Sequence, residues 1–411
     1  MSVFKSTDIL IPNHSHMEKW SVIACDQFTS DPAYWQRVRQ AAGEDPSTIH
    51  LILPEAELGS ENEAQTVKNI NAAMERYLAE NVFCVYPNSY VYVERTLVDG
   101  SVRPGLLGAV DLEAYDYHPG SNSAIRATEK TVLERIPPRQ RVRKDAALEL
   151  PHVLMLCDDD EKSLIEPITA VKDSLPKLYD FDLMEQGGHI RGWLVQGAVA
   201  DEFDKRFASF AATVESKYAD LGGSVLLAVG DGNHSLATAK SCYEALKAAN
   251  PGVDLSGHPA RYSLVELENI HDASQVFEPI HRILLGIDGE KLRADLQKLL
   301  GSEGFPVRLI CNGREETIVL DHVHGEMAVA ILQPFLDAWL EENGGQIDYI
   351  HGDEELRQLA AGDNCAGFLL PPMAKHELFR GVIAGGVLPR KTFSMGHARE
   401  KRYYLEGRMI K

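Results

Sequence analysis

Residues 224–249 constrain the fold of this chain more than any other stretch. Ser224-Val-Leu-Leu-Ala-Val229 is a nearly unbroken apolar run of strand length, Gly230-Asp231-Gly232 interrupts it, and a helical pattern over 235–249 ends at Asn250-Pro251-Gly252. So short an apolar run reads as a buried strand, and a strand that turns directly into a helix points to an α/β protein. The first N–H groups of such a helix have no intrahelical partner and face outward, which suits an anion. Glycine at 230 and 232 permits a tight turn, Asp231 is placed to cap or to hold a divalent metal, and His234 to donate to a phosphate oxygen. An ordinary capped helix after a buried strand has the same pattern. The step is not a P-loop, because the Gly-Lys-Ser/Thr ending is missing, and it is not G-x-G-x-x-G.

The rest of the chain supplies more α/β material. A brief strand over 21–24 ends at Cys25-Asp26-Gln27, which puts Asp26 just past a strand end. Val67, Ile70, Met74 and Leu78 recur at helical spacing over 63–78. Residues 90–93 and 105–112, split by Asp99-Gly100, predict a β-hairpin and hence an antiparallel part of the sheet. Strands are expected at 152–157, 188–193, 262–267 and 307–311, and helices at 201–221, 291–300 and 333–342. Phe203, Phe207, Phe210, Val214 and Tyr218 form a core stripe on the 201–221 helix, and Pro334 falls in the first turn of the 333–342 helix. The expected architecture is α/β with a mixed sheet and α+β character in a two-lobed chain. Lobes at 1–250 and 251–411 fit, and so does one continuous domain.

Formal charge is −20, with 41 Lys and Arg against 61 Asp and Glu, which opposes nucleic acid or an anionic membrane as partner. Small molecules and a homo-oligomer are the expected partners. Six scattered cysteines with no C-x-x-C argue against zinc and against a disulfide framework. The opening residues lack a signal-peptide run and no stretch approaches the ~18 apolar residues of a span, so the expected location is the cytoplasm.

Three basic motifs remain. Pro137-Pro138 is expected as a break beside the island Arg135, Arg139, Arg141, Arg143 and Lys144, which either pairs with carboxylates or binds an anion. His281-Arg282 follows Pro279. Pro389-Arg390-Lys391-Thr392-Phe393-Ser394, with Arg399, Lys401 and Arg402 beyond it, either binds phosphate or carboxylate or neutralises the acidic body.

Together Trp20-Ser-Val-Ile-Ala-Cys-Asp-Gln27, Ile125-Arg-Ala-Thr-Glu-Lys-Thr131, Gly230-Asp-Gly-Asn-His-Ser235, Pro279-Ile-His-Arg282 and Leu388-Pro-Arg-Lys-Thr-Phe-Ser394 resemble bacterial domain-of-unknown-function family 1015 over nearly the whole chain. The family's central Ala-Asp-Gly-His-His-Arg is similar to the phosphate-binding motif of free serine kinases in the ParB/sulfiredoxin superfamily. This chain has Asn233 and Ser235 where that motif has its first His and its Arg. The resemblance implies a ParB/sulfiredoxin-like strand–turn–helix core and a phosphotransferase acting on serine, phosphoserine or a similar metabolite, dependent on Mg²⁺ and on ATP or ADP. Glu129 or Asp26 is then the acid/base, Asp231 the metal or ribose contact, and His234 a catalytic phosphate contact. Gly230, Gly232, Asn233, Ser235, His281, Arg282 and Lys391 are further ligand contacts, and Arg126 holds the substrate carboxylate. A phosphoserine-type phosphatase and a nucleotide-sensing regulator are the alternatives.

Overall fold

The computed structural model describes every residue except Met1, His14, Ser15, Gly325, Glu326 and Arg390, so the Arg390 of the C-terminal motif lies outside the described residues. Two compact units result, Met1–Gln275 with Gly396–Lys411, and Val276–Met395. The division expected at residue 250 falls inside the first unit, because the strand Tyr262–Asn269 beyond it is hydrogen-bonded in the middle of that unit's sheet. Long-range strand pairing overrides the local stop signal at Asn250-Pro251-Gly252.

The first unit is built on a mixed sheet of eleven described strands. Six elements position the site: the strand Ile125–Ala127 (β1), the helix Ile136–Arg143 (α1), and the strands Leu154–Cys157 (β2) and Leu227–Asp231 (β3), followed by the helix Asn233–Ala249 (α2) and the strand Tyr262–Asn269 (β4). β3 runs parallel to β1 and antiparallel to β2, while β2 runs parallel to β4. The expected hairpin forms from Phe83–Thr96 and Val102–Asp111, with Val91 opposite Leu107 and Gly100 at φ 85° in the turn. The fold is therefore α/β with a mixed sheet.

Apolar periodicity explains the packing. The helix Ala198–Lys217 buries Phe203, Phe207, Phe210 and Val214, and Phe203 meets the rings of Phe4 and Tyr90. Each such ring contributes on the order of 2 kcal/mol when buried. Pro137 and Pro138 open α1 rather than break the chain, since the first turn of a helix needs no N–H donor there.

The C-terminal segment returns to this unit. Tyr403–Tyr404 pairs with Val22–Ile23, and Arg408–Met409 pairs with Leu148–Glu149. Arg402 is buried with its guanidinium 2.7 Å from Glu266 and 2.8 Å from Glu406. Part of the basic C-terminal run thus neutralises buried acids.

The second unit carries an antiparallel sheet in the order Arg314–Asp321, Gly304–Cys311, Cys365–Leu369, Phe277–Leu285, Gln346–His351, with Phe393–Met395 also on Phe277–Leu285. Its helix Ala328–Asn343 begins earlier than expected, because Val329, Ile331 and Leu332 extend the apolar face, so Pro334 lies inside it at the cost of one backbone bond. Among the described residues no helix is long and apolar enough to cross a membrane.

Candidate active site

The strand–turn–helix step forms where the sequence places it, with a shifted register. Gly230 and Asp231 are the last residues of β3, and only Gly232 turns, at φ 81°. A side chain there would lie 3.1 Å from the Val153 backbone, so glycine is required both for the left-handed conformation and for the close approach of β3 to the chain before β2. Asn233, His234 and Ser235 are the first three residues of α2, so their N–H groups face outward. Asp231 does not cap the helix. Its Oδ1 accepts from Gly232 N at 3.0 Å and its Oδ2 lies 3.4 Å from Lys401 Nζ.

A buried polar chain runs beside this step. Cys25 N donates to Tyr404 Oη at 3.3 Å, Tyr404 Oη lies 2.7 Å from His152 Nδ1, and His152 Nε2 lies 3.3 Å from Ser235 Oγ and 3.8 Å from Asp26 Oδ2. Burial raises the Tyr404 phenol well above its ordinary value, so it stays protonated. Because Cys25 N–H supplies one proton to Tyr404, the phenolic proton is left for His152 Nδ1, and Nε2–H then points toward Ser235 and Asp26. Burial pushes the Asp26 carboxyl up, but His152, the Gln27 amide and Lys401 outweigh it, and its pKa ends below the ordinary carboxylate range. Asp26 is thus an ionised acceptor next to an imidazole donor. Burial together with Asp26 raises the Cys25 thiol to about 12, so it is no nucleophile.

His234 is held differently. Its Nε2 accepts from Val132 N at 3.2 Å, which leaves Nδ1 as its donor. Burial, with Arg139 and Arg135 close by, lowers its pKa to about 4, so it meets a ligand as a neutral imidazole. Glu129 is half-buried on the loop that leads from β1 to Val132. Around the same step, Asn233 Oδ1 and Thr131 Oγ1 are buried without a hydrogen-bond partner among the described residues. Buried polar atoms are seldom left so, and a ligand hydroxyl or a water satisfies such groups.

The remaining expected contacts are placed elsewhere. Arg126 is buried and reaches back along β1 to the carbonyls of Ser123 and Ser224, both 3.2 Å away, so it faces away from the turn and does not serve it as a carboxylate grip. His281, Arg282 and Lys391 belong to the second unit. His281 bonds Asp353 at 3.0 Å and Leu370 N at 3.1 Å, Arg282 bonds Gln333 and the Ile280 carbonyl, and Lys391 is exposed. The first two are occupied in holding that unit's sheet. The basic island resolves into ion pairs: Arg139 with Glu55 at 2.8 Å, Arg141 with Glu63 at 2.6 Å and Arg143 with Glu149 at 2.5 Å. His152 and Tyr404 enter the site although sequence reading assigned them no role, and Lys401 joins them as one member of the C-terminal basic run. They come from a strand edge and the C-terminal segment, far apart in the chain, and no local pattern pairs them.

The group opens on a cavity of about 150 Å³, lined by His152, Ser235 and Tyr404, by the paired Arg139–Glu55 and Arg143–Glu149, and otherwise mainly by apolar side chains. Among the described residues no three His, Cys, Asp or Glu side chains gather as a metal cage.

The profile of a family described as Protein of unknown function (DUF1015) matches residues 8–370. No curated protein matches the chain. Among solved structures, SbnI with a C-terminal truncation from Staphylococcus aureus is similar at 10% identity, with 71% of this chain and 83% of that chain covered and a TM-score of 0.36. A free serine kinase in complex with AMP is similar at 11% identity, with 74% and 90% covered and a TM-score of 0.36. A conserved hypothetical protein from Pyrococcus furiosus is similar at 14% identity, with 48% and 83% covered and a TM-score of 0.27.

Proposed function

This chain belongs to the DUF1015 family, and from that premise we propose that it is a nucleotide-dependent phosphotransferase acting on the hydroxyl of a small metabolite, serine being the case that the motif resemblance implies. The observation that carries the reading is the meeting of three kinds of group at one turn: the open N-terminus of α2, the cation Lys401, and the ionised Asp26 beside His152. Phosphoryl transfer is chiefly positioning and charge neutralisation, and these groups supply both. The α2 N–H groups and Lys401 hold the phosphoryl oxygens. Asp26 takes the proton of the attacking hydroxyl, and His152 Nε2–H donates to a phosphoryl oxygen while Tyr404 fixes its tautomer.

Magnesium brought in on nucleotide phosphates needs only one or two protein carboxylates. Asp231, whose Oδ2 now faces Lys401, is the residue that would hold it, and the ion would offset phosphate charge. The Nε2–H tautomer of His152 weighs against Ser235 as a histidine-activated nucleophile, and so against a covalent phosphatase.

Thermal stabilisation by ATP, ADP, serine and phosphoserine with Mg²⁺ tests the reading. A nucleotide-dependent rise in melting temperature that is lost in Lys401→Met is the expected result. Stabilisation by phosphoserine alone, with none from ATP or ADP, would overturn it.

A further inference from the structure

The cavity behind Ser235 has a composition that the turn does not explain. Its wall includes Leu51, Leu53, Met74, Val142 and Leu150, and its polar end is His152, Ser235 and Tyr404. The charged side chains that reach it are already matched. Arg139 pairs with Glu55 and Arg143 with Glu149, and Glu149 is also bonded to Arg408 at 2.8 Å and to Leu264 N at 2.8 Å.

We infer that this cavity binds the uncharged, apolar body of the acceptor, and that the acceptor is a small aromatic or branched aliphatic alcohol, or its phosphate monoester, with its oxygen at Ser235 and His152. The inference rests on the phosphotransferase reading and narrows its substrate class away from free serine. Two arguments support it. A cavity of about 150 Å³ has the volume that accepts benzene when its walls are apolar, and most of this cavity's uncharged lining is apolar. An amino acid placed there would strip water from an ammonium and a carboxylate, and the matched ion pairs would have to open to replace it. A hydroxyl loses far less, because His152 Nε2–H and Ser235 Oγ offer a donor and an acceptor at the polar end.

Isothermal titration of the full chain with benzyl phosphate, phosphoserine and Mg-ADP, each alone, reads the two claims separately. The expected result is at least tenfold tighter binding of benzyl phosphate than of phosphoserine. Ala146→Leu, which fills the cavity, should erase that advantage and leave Mg-ADP binding intact. Leu53→Ala, which enlarges it, should move the preference toward a naphthylmethyl phosphate and serves if the first variant does not fold. Phosphoserine binding as tightly as benzyl phosphate, with Mg-ADP still bound, would overturn the substrate class and leave the phosphotransferase reading standing. A benzyl phosphate preference without any Mg-ADP binding would support the cavity assignment and sink the phosphotransferase.

Discussion

Two histidine-bearing motifs stand out in this sequence, Asp231 to Ser235 and His281-Arg282, and their surroundings differ in one respect that decides their roles. In the second unit both His281 ring nitrogens are engaged, one by Asp353 and one by Leu370 N, and Arg282 is spent on Gln333 and its own strand. Those bonds close a sheet. At the turn of the first unit both His152 nitrogens also have partners, but one of those partners, Ser235, lines a cavity. His152 is anchored on one side by Tyr404, and its other nitrogen faces a cavity with Ser235 and Asp26. Burial alone does not mark a functional histidine; an anchored ring with one side facing space does.

The largest effect that would break this contrast concerns His152. His152→Phe should lower turnover per folded molecule by about 10²–10⁴-fold, the usual contribution of a positioned acid or base, beside a stability loss of about 1–3 kcal/mol from the orphaned Tyr404 hydroxyl. His281→Phe should leave turnover per folded molecule intact. Denaturant unfolding should show a loss of about 1–3 kcal/mol, because Leu370 N and Asp353 lose their partner. Equal losses of turnover in both variants would erase the distinction.

Gly232→Ala sharpens the geometric side. The left-handed conformation costs a non-glycine residue about 1–2 kcal/mol, and the added carbon would press on Val153, so a drop in stability of that order together with weakened nucleotide binding is expected. Gly230→Ala, within a strand and at no positive φ, should be far milder in the same unfolding assay.

A pH slope isolates His234. The pKa of His234 is about 4 in the folded chain against an ordinary 6.5, so the unfolded chain takes up the proton first as pH falls. Its contribution to stability is present above about 6.5 and is lost as pH falls toward about 4. His234→Asn should flatten the dependence of melting temperature on pH within that window and nowhere else.

Most of the fold was legible where periodicity is local. The stripe Phe203, Phe207, Phe210 and Val214, the hairpin around Gly100 and the step into α2 follow from spacing and turn chemistry, and all three form. The unit boundary was not legible, because Tyr262–Asn269 joins the first sheet by pairing with strands far away in the sequence. For the same reason the site was half read. Asp26, Gly232, His234 and Ser235 announce themselves by a strand end or a helix start. His152 and Tyr404 are 252 positions apart and carry no shared pattern. The C-terminal basic run was read as one feature, and the chain splits it: Lys391 stays exposed in the second unit while Lys401 lies against Asp231 in the first.

That split gives the most direct test. Mg-ADP binding should be measured by titration calorimetry for the wild type, Lys401→Met and Lys391→Met. Loss of a charge-assisted bond to phosphate predicts about tenfold to hundredfold weaker binding for Lys401→Met and wild-type affinity for Lys391→Met. Wild-type affinity in Lys401→Met, with binding lost in Lys391→Met, would contradict the assignment of the site to the turn before α2.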